Sequence, residues 1–226
     1  MRRILMCFWV LLMFAGWNGL AHADLIEMVS GNGVLGGSDP YTLFSESGTN
    51  LLSTMDAAVQ GGTYPTPTLE AYIGREGTGI YEIPGSMVIN SVPHAYYYGV
   101  SGYYERAFTL PSLLTGATLT LDVVGDDDGF AYLNGTQLGY FDWQSGWAYE
   151  FVTSDLSLFQ SGPNTLTFAV SNAGGGPTGL SYRSTVDYTY SSPPDSSAPV
   201  PEPATMLLLG SGLAGLIGFR KKFRKR

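Results

Sequence analysis

The chain has 226 residues, of which 44% are hydrophobic, enough for one domain with a core of its own. Charged residues make up only 13%, whereas 30 Gly, 13 Pro and 15 Tyr favour turns and strands. This composition excludes a coiled coil, a long helical bundle and a highly charged disordered chain.

The charges are segregated along the chain. Eight of the 11 basic residues lie among the first three or the last seven positions, whereas all 19 acidic residues lie between Asp24 and Glu202. That acidic segment has three Arg and no Lys, so its formal charge is −16. Because binding to phosphates needs basic side chains, we expect no nucleic-acid partner. Basic partners or divalent cations suit this charge better.

Residues 1–23 are predicted to be a secretory signal peptide. Two arginines precede a charge-free apolar run at residues 4–15, and the small-x-small sequence Ala21-His22-Ala23 stands before Asp24. The alternative is an uncleaved anchor, for which the apolar run is short. Removal of the signal peptide removes Cys7, the single cysteine of the chain. The mature protein is therefore expected to have neither disulfides nor a catalytic thiolate.

Residues 24–190 are predicted to form an all-β ectodomain, an antiparallel β-sandwich of the jelly-roll kind. Short apolar-alternating runs, separated by turn residues, follow one another from Tyr103 onward. No stretch shows a sustained helical period, and Met87–Ile89 is the best strand core before Tyr103. The predicted strands are 117–124, 130–133, 137–140, 147–153, 165–170 and 180–190, with a short capped turn of helix from Ser154-Asp155 to Phe159.

The pair Asn134-Gly135 predicts a type I′ hairpin between the second and third of these strands. With Thr136 it also matches a glycosylation acceptor, and the tight turn is the better explanation.

Two tryptophans, Trp143 and Trp147, flank a loop that also contains Asp142 and Gln144. Indole faces stack on sugar rings while the carboxylate and the amide form hydrogen bonds, so these four residues are the candidate ligand site. In the alternative interpretation one or both tryptophans cover the end of the core. For the tyrosine clusters at 96–98 and 103–104, packing is the expected role.

Three adjacent carboxylates, Asp126, Asp127 and Asp128, precede Gly129. Their mutual repulsion makes a Ca²⁺ site conceivable, but adjacent side chains cannot all converge on one ion. The alternative is an acidic, solvated shoulder of the hairpin. No other metal and no cofactor is expected.

Catalysis has little support in the sequence. His94 is the single histidine of the mature chain and belongs to no nucleophile motif. Among the 19 acidic residues, two could form the carboxylate pair that glycoside hydrolysis requires, but the sequence pattern does not identify which ones. We therefore predict a protein that is not an enzyme.

The C-terminal segment is predicted to be a second targeting signal. Residues 191–200 form a Pro/Ser-rich linker. Pro201-Glu202-Pro203 follows, then 16 uncharged residues, 204–219, which predict a short transmembrane helix. The basic tail at 220–226 places this end in the cytoplasm and the ectodomain outside. Its cations are Arg220, Lys221, Lys222, Arg224, Lys225 and Arg226.

This tripartite end, residues 201–226, resembles a PEP-CTERM sorting signal. The resemblance implies anchoring in the inner membrane, processing near Pro201-Glu202-Pro203 by an exosortase, and release to the cell surface or an exopolysaccharide matrix. The structural alternative is a plain single-span anchor.

The order of motifs in the ectodomain resembles a galactose-binding-like jelly roll, the sandwich of many carbohydrate-binding modules and of sugar-binding domains in β-galactosidases. The resemblance implies a polysaccharide partner for an exported, non-catalytic protein. The alternatives are a structural matrix protein whose association responds to Ca²⁺, and a glycan-active enzyme. The matching segments are Arg106–Pro111, Asp126–Gly135, Asp155–Phe159, Gly162–Leu166 and Val170–Asn172.

Overall fold

The structure is a computed structural model, and it describes residues 21–74, 82–91, 99–143 and 147–192. Strands dominate these residues, as their alternating apolar pattern predicts. The elements are β1 (Ala21–Val29), β2 (Ser38–Glu46), α1 (Leu52–Gln60), β3 (Leu69–Ile73), β4 (Ile89–Asn90), β5 (Gly102–Leu110), β6 (Leu114–Asp126), β7 (Asp128–Leu133), β8 (Thr136–Asp142), β9 (Tyr149–Thr153), a 3-10 turn (Leu156–Leu158), β10 (Gly162–Ser171) and β11 (Gly179–Ser191).

The strands form an antiparallel ladder in the order β8-β7-β10-β5-β2-β3-β4-β11-β6-β9, with β1 beside β11. The ladder folds back on itself, because β11 faces β2 and β10 across the interior. The Tyr182 hydroxyl of β11 lies 2.8 Å from Thr42 Oγ1 of β2. The Phe168 ring of β10 stacks on Tyr182 with centroids 4.8 Å apart. The predicted antiparallel β-sandwich is therefore confirmed.

The main core lies between the two faces of the sandwich. Leu119, Leu121 and Val123 alternate along β6 and are fully buried, as period-two alternation requires. On β10, Leu166 and Phe168 fill the opposite side. Each such side chain contributes about 2 kcal/mol through removal of apolar surface from water.

The β7–β8 hairpin confirms the predicted type I′ turn. Asn134 and Gly135 both have positive φ, 50° and 81°. The Asn134 side-chain amide donates to the carbonyl of Leu158 and to Asn164 Oδ1, both at 2.8 Å. This amide nitrogen is therefore held inside the structure, which favours the turn over the glycosylation interpretation.

One helix contradicts the prediction that the ectodomain has no sustained helical period. Helix α1 places Met55 and Val59 against Tyr103 and Tyr132, and these residues form a second, smaller core. The helical sequence pattern is weak for two reasons. Leu51 provides no side-chain cap at the start of the helix, and only two side chains of the helix are buried. Packing against the sheet, not local propensity, stabilises this helix.

The described residues before Gly102 contain four strands, of which the sequence indicated one. Val88 and Ile89 are fully buried, but β4 is only two residues long and begins at Ile89 instead of Met87. The strand predicted to start at Trp147 begins at Tyr149. Tyr103 and Tyr104 pack in the cores as expected, whereas residues 96–98 lie outside the described residues.

Candidate functional site

Described residues of three connections meet at one end of the sandwich, here named the loop end: residues 126–128, 142–143 with 147–148, and 172–178. Asp127 joins them. Its Oδ2 accepts a hydrogen bond from the backbone N–H of Gly174 at 2.9 Å, and its carbonyl accepts from the N–H of Trp143 at 3.3 Å. The carboxylates and the tryptophans, treated separately in the sequence, thus belong to one surface.

Both tryptophans are exposed at the loop end. Trp143 retains 46% and Trp147 72% of its accessible surface, so neither has the role of a core cover. Asp142 is half-buried and accepts a hydrogen bond from the Tyr149 hydroxyl at 3.0 Å. Gln144, the fourth predicted ligand residue, lies outside the described residues.

Sequence reasoning missed Tyr140 as a member of this surface. Its ring is 42% exposed and lies edge-on to Phe130, with centroids 5.6 Å apart. In the β7–β8 ladder Phe130 pairs with Tyr140, and Asp128 pairs with Asp142. Alternation places Tyr140 on the same strand face as Asp142, which is the pattern that identifies it.

Two aspartates of the loop end, Asp126 and Asp128, lie in surroundings that disfavour their charge. Burial raises the pKa of Asp126 to about 7, and the hydrogen bond and charge of Asp127 add to this effect. Burial also raises the pKa of Asp128. A hydrogen bond with Ser171 lowers this pKa, whereas the charges of Asp127 and Asp142 raise it further. Asp128 Oδ1 is buried without a hydrogen-bond partner.

The three adjacent carboxylates are not gathered as a chelating group. Within residues 21–74, 82–91, 99–143 and 147–192, no set of three or more His, Cys, Asp or Glu side chains is placed to hold a metal ion. Ca²⁺ binding by Asp126, Asp127 and Asp128 stays a prediction. His94 lies outside the described residues.

The Asp126→Asn substitution is expected to stabilise the protein at pH 8 and to change little at pH 4. Because the folded-state pKa of about 7 exceeds the ordinary 3.8, the folded state binds the proton more tightly and stability falls as pH rises between these values. Removing this group should add about 1–2 kcal/mol at pH 8, after allowance for solvent screening of a half-buried carboxyl.

Urea unfolding of both proteins from pH 4 to pH 8 measures this effect. Asp187→Asn removes an exposed carboxylate of β11 and is the matched control. Parallel stability curves for Asp126→Asn and the original protein would contradict the raised pKa of Asp126.

The predicted export residues divide between two parts of the chain. Ala21, Ala23 and Asp24 lie in β1, where Ala23 pairs with Thr189 and Asp24 with Tyr188. Cleavage after Ala23 would leave Asp24–Val29 of this strand. Residues 1–20 and 193–226 lie outside the described residues, so the sorting triplet, the basic tail and the predicted helix at 204–219 do too. None of the described helices has the length and apolar character needed to cross a bilayer.

The C-terminal end matches a known family model. Residues 199–225 match the PEP-CTERM protein-sorting motif. This confirms the resemblance noted for the Pro-Glu-Pro triplet and its basic tail.

Part of this chain is similar to a small part of a much larger curated protein. A curated α-L-rhamnosidase of Streptomyces avermitilis is 29% identical over 148 residues, which cover 64% of this chain and 14% of that protein. This chain therefore spans about one seventh of that relative's length.

Solved structures give distant fold matches. A β-glucuronidase of an uncultured Clostridium sp. has a TM-score of 0.43 at 13% identity, over 74% of this chain and 29% of that one. A family 35 carbohydrate-binding module of Clostridium thermocellum has a TM-score of 0.37 at 12% identity, over 71% and 97% of the two chains.

Sequence, fold and motif together define a class: an exported protein with a β-sandwich and a C-terminal exosortase-type sorting motif.

Proposed function

We propose that this protein is released by an exosortase to the cell surface or the extracellular matrix, where its loop end binds exopolysaccharide without catalysis. The observation that carries the proposal is the exposure of Trp143 and Trp147 on a surface that also presents carboxylates. Indole rings of this exposure are available for stacking on sugar rings. In this proposal the N-terminal signal peptide directs export and residues 204–219 hold the precursor in the inner membrane.

The position of the loop end supports the proposal. Strand β11 begins beside it, where Gly179 pairs with Asp126. The strand ends at Ser191, which leads to the linker and the sorting motif. The 13 residues of β11 cover about 40 Å at 3.3 Å per residue, so the loop end is remote from the point where the chain leaves the sandwich.

The charge of the loop end favours a neutral glycan. Asp127 and Asp142 present carboxylate oxygens that accept hydrogen bonds from sugar hydroxyls. The acidic segment, with its formal charge of −16, repels polyanions over about 8 Å at physiological ionic strength. A neutral exopolysaccharide is therefore the expected ligand, and an acidic one would bind only at high salt or with a bridging cation.

Trp143→Ala and Trp147→Ala are each expected to weaken glycan binding about tenfold, because each removes a stacking surface worth about 1–2 kcal/mol. Trp143→Phe should lose less, since a smaller aromatic face remains. Polysaccharide pull-down, followed by titration calorimetry on the glycan retained, measures both. The control is Leu69→Ala, which removes an apolar side chain of similar exposure, 64%, from β3.

Other outcomes separate the alternatives. Binding that is absent, or equal in the tryptophan variants and the control, would reject the sugar site. Light scattering that changes with Ca²⁺ would then favour a structural matrix protein. Turnover of the polysaccharide by the purified chain would contradict the non-catalytic role.

A further inference from the structure

Arg106 is a cation inside the sandwich. It is only 9% exposed, at the middle of β5, on the strand face that also carries Tyr104 and Phe108. That face belongs to the main core. A guanidinium is always charged in proteins, so its burial requires compensation from its surroundings.

In the described part of the chain, no hydrogen bond from Nε or Nη1 and no ion pair provides that compensation. The Nε and Nη1 atoms of Arg106 are buried and neither has a hydrogen-bond partner. Within the described ranges the recorded ion pair joins Arg183 to Glu27, at 4.0 Å. The Nε and Nη1 groups of Arg106 can therefore donate to an acceptor from outside the chain.

The nearby buried carboxylate is occupied by other donors. Asp39 Oδ2 accepts from the N–H of Gly31 at 3.0 Å and from Thr42 Oγ1 at 2.8 Å. Asp39 Oδ1 accepts from the N–H of Tyr41 at 3.0 Å. Asp39 offsets part of the positive charge at a distance, but it forms no hydrogen bond with the guanidinium.

Tyr41 covers the guanidinium on one side. The Arg106 Cζ atom lies 4.6 Å from the centre of the Tyr41 ring, a cation–π contact. The ring itself is 56% exposed, although the cation beneath it is buried. On this side an exposed side chain, Tyr41, therefore lies against the buried guanidinium.

Two further orphaned hydroxyls belong to the same inward faces. Tyr104 Oη and Ser184 Oγ are buried without partners. Tyr104 is two residues from Arg106 on β5, and Ser184 is two residues from Tyr182 on β11. Burial raises the pKa of Tyr182 whereas the charge of Arg106 lowers it, so the two side chains are close enough to interact.

We propose that Arg106, together with the buried hydroxyls of Tyr104 and Ser184 on the same inward faces, binds one small oxyanion, a carboxylate or a phosphate, with Tyr41 as its cover. Guanidinium groups have donors only and match the fork of a carboxylate or phosphate. Hydroxyls supply further donors, and a single oxyanion accepts from all of them. A neutral guest would leave the charge uncompensated. This site is separate from the loop end and does not depend on glycan binding there.

Thermal unfolding of the full chain in detergent tests the proposal. At constant ionic strength, acetate or phosphate in place of chloride should raise Tm in a saturable way, because a ligand that binds the folded state stabilises it. Arg106→Met should abolish the response, whereas Arg183→Met, at an exposed arginine, should keep it. A response to acetate alone or to phosphate alone identifies the class of anion. If the original chain responds no more than Arg106→Met, the cation is merely hydrated and the proposal is wrong.

A second measurement protects the test against a variant that does not fold. The ¹⁵Nε–H resonance of Arg106 in the original chain should shift on titration with the effective anion. Arg106→Lys, which keeps the charge but loses the fork, should bind that anion at least tenfold more weakly. An unmoved Arg106 resonance at saturating anion would overturn the site.

Discussion

Pro201→Ala and Glu202→Ala are expected to abolish release of the protein from the inner membrane. Residues 199–225 match the PEP-CTERM protein-sorting motif, and these are two of the three residues of its Pro201-Glu202-Pro203 triplet. Both substitutions alter the matched segment at the triplet near which processing is expected, so they should prevent cleavage there. Intact-mass spectrometry of protein recovered from the outer surface or medium of the host measures the outcome: the original chain should lack both the signal peptide and everything after about residue 203.

The control for sorting is Pro194→Ala, which changes a proline of the linker outside the matched segment. It should be released like the original chain. A full-length tail on the original chain, retained in the inner membrane, would mean a simple anchor, and the search for partners would move to the periplasm.

Asn164→Ala is expected to lower the free energy of unfolding by about 3–5 kcal/mol. Asn164 is 1% exposed and links β10 to the turn before it and to the β7–β8 hairpin. Its Oδ1 accepts from the N–H of Gln160 and from Asn134 Nδ2, and its Nδ2 donates to the carbonyls of Gln160 and Gly162, all within 2.9 Å. Alanine leaves four polar groups without this partner, and each orphaned buried group costs about 1–3 kcal/mol before water relieves part of the loss.

Urea unfolding of the two proteins measures this difference from the midpoint at equal m-value. Asn32→Ala is the matched control, since Asn32 is exposed in the β1–β2 loop. It should change stability by no more than about 0.5 kcal/mol. An equal effect of the two substitutions would show that the Asn164 contacts are replaced by water.

The strands after Tyr103 were predictable because their alternation is strong and their turns have specific chemistry. Asn134-Gly135 fixed the hairpin, and Leu119, Leu121 and Val123 identified the buried face. Helix α1 was missed because it depends on packing against Tyr103 and Tyr132, which no local pattern reveals. The first strands were missed for a related reason. Strand β1 pairs with β11, which lies more than 150 residues later in the chain, so no local pattern indicates this pairing.

The candidate site was predictable in its residue types but not in its geometry. Trp143 and Trp147 stood out in the sequence, yet only the fold decides that they are exposed and not packed under a loop. The bond from Gly174 to Asp127 joins positions 47 residues apart, and it brings the Gly-rich β10–β11 loop to the carboxylates. The burial of Arg106 could not be predicted from the sequence, because the strand around it shows ordinary alternation. That its Nε and Nη1 atoms lack an acceptor can be seen only in the folded structure.

The central place of β11 has a mechanical consequence. Nine residues of β1 pair with it on one side, or six after cleavage at Ala23, and twelve residues of β6 pair with it on the other. A tension applied between the loop end and Ser191 acts along this strand, at right angles to its hydrogen bonds. This tension shears the hydrogen bonds on both sides of β11 at the same time, so these bonds must break together. A strand that is peeled from one end loses its hydrogen bonds one after another. Along the axis of β11 the sandwich should therefore withstand a larger force than it does when β11 is peeled away from one end.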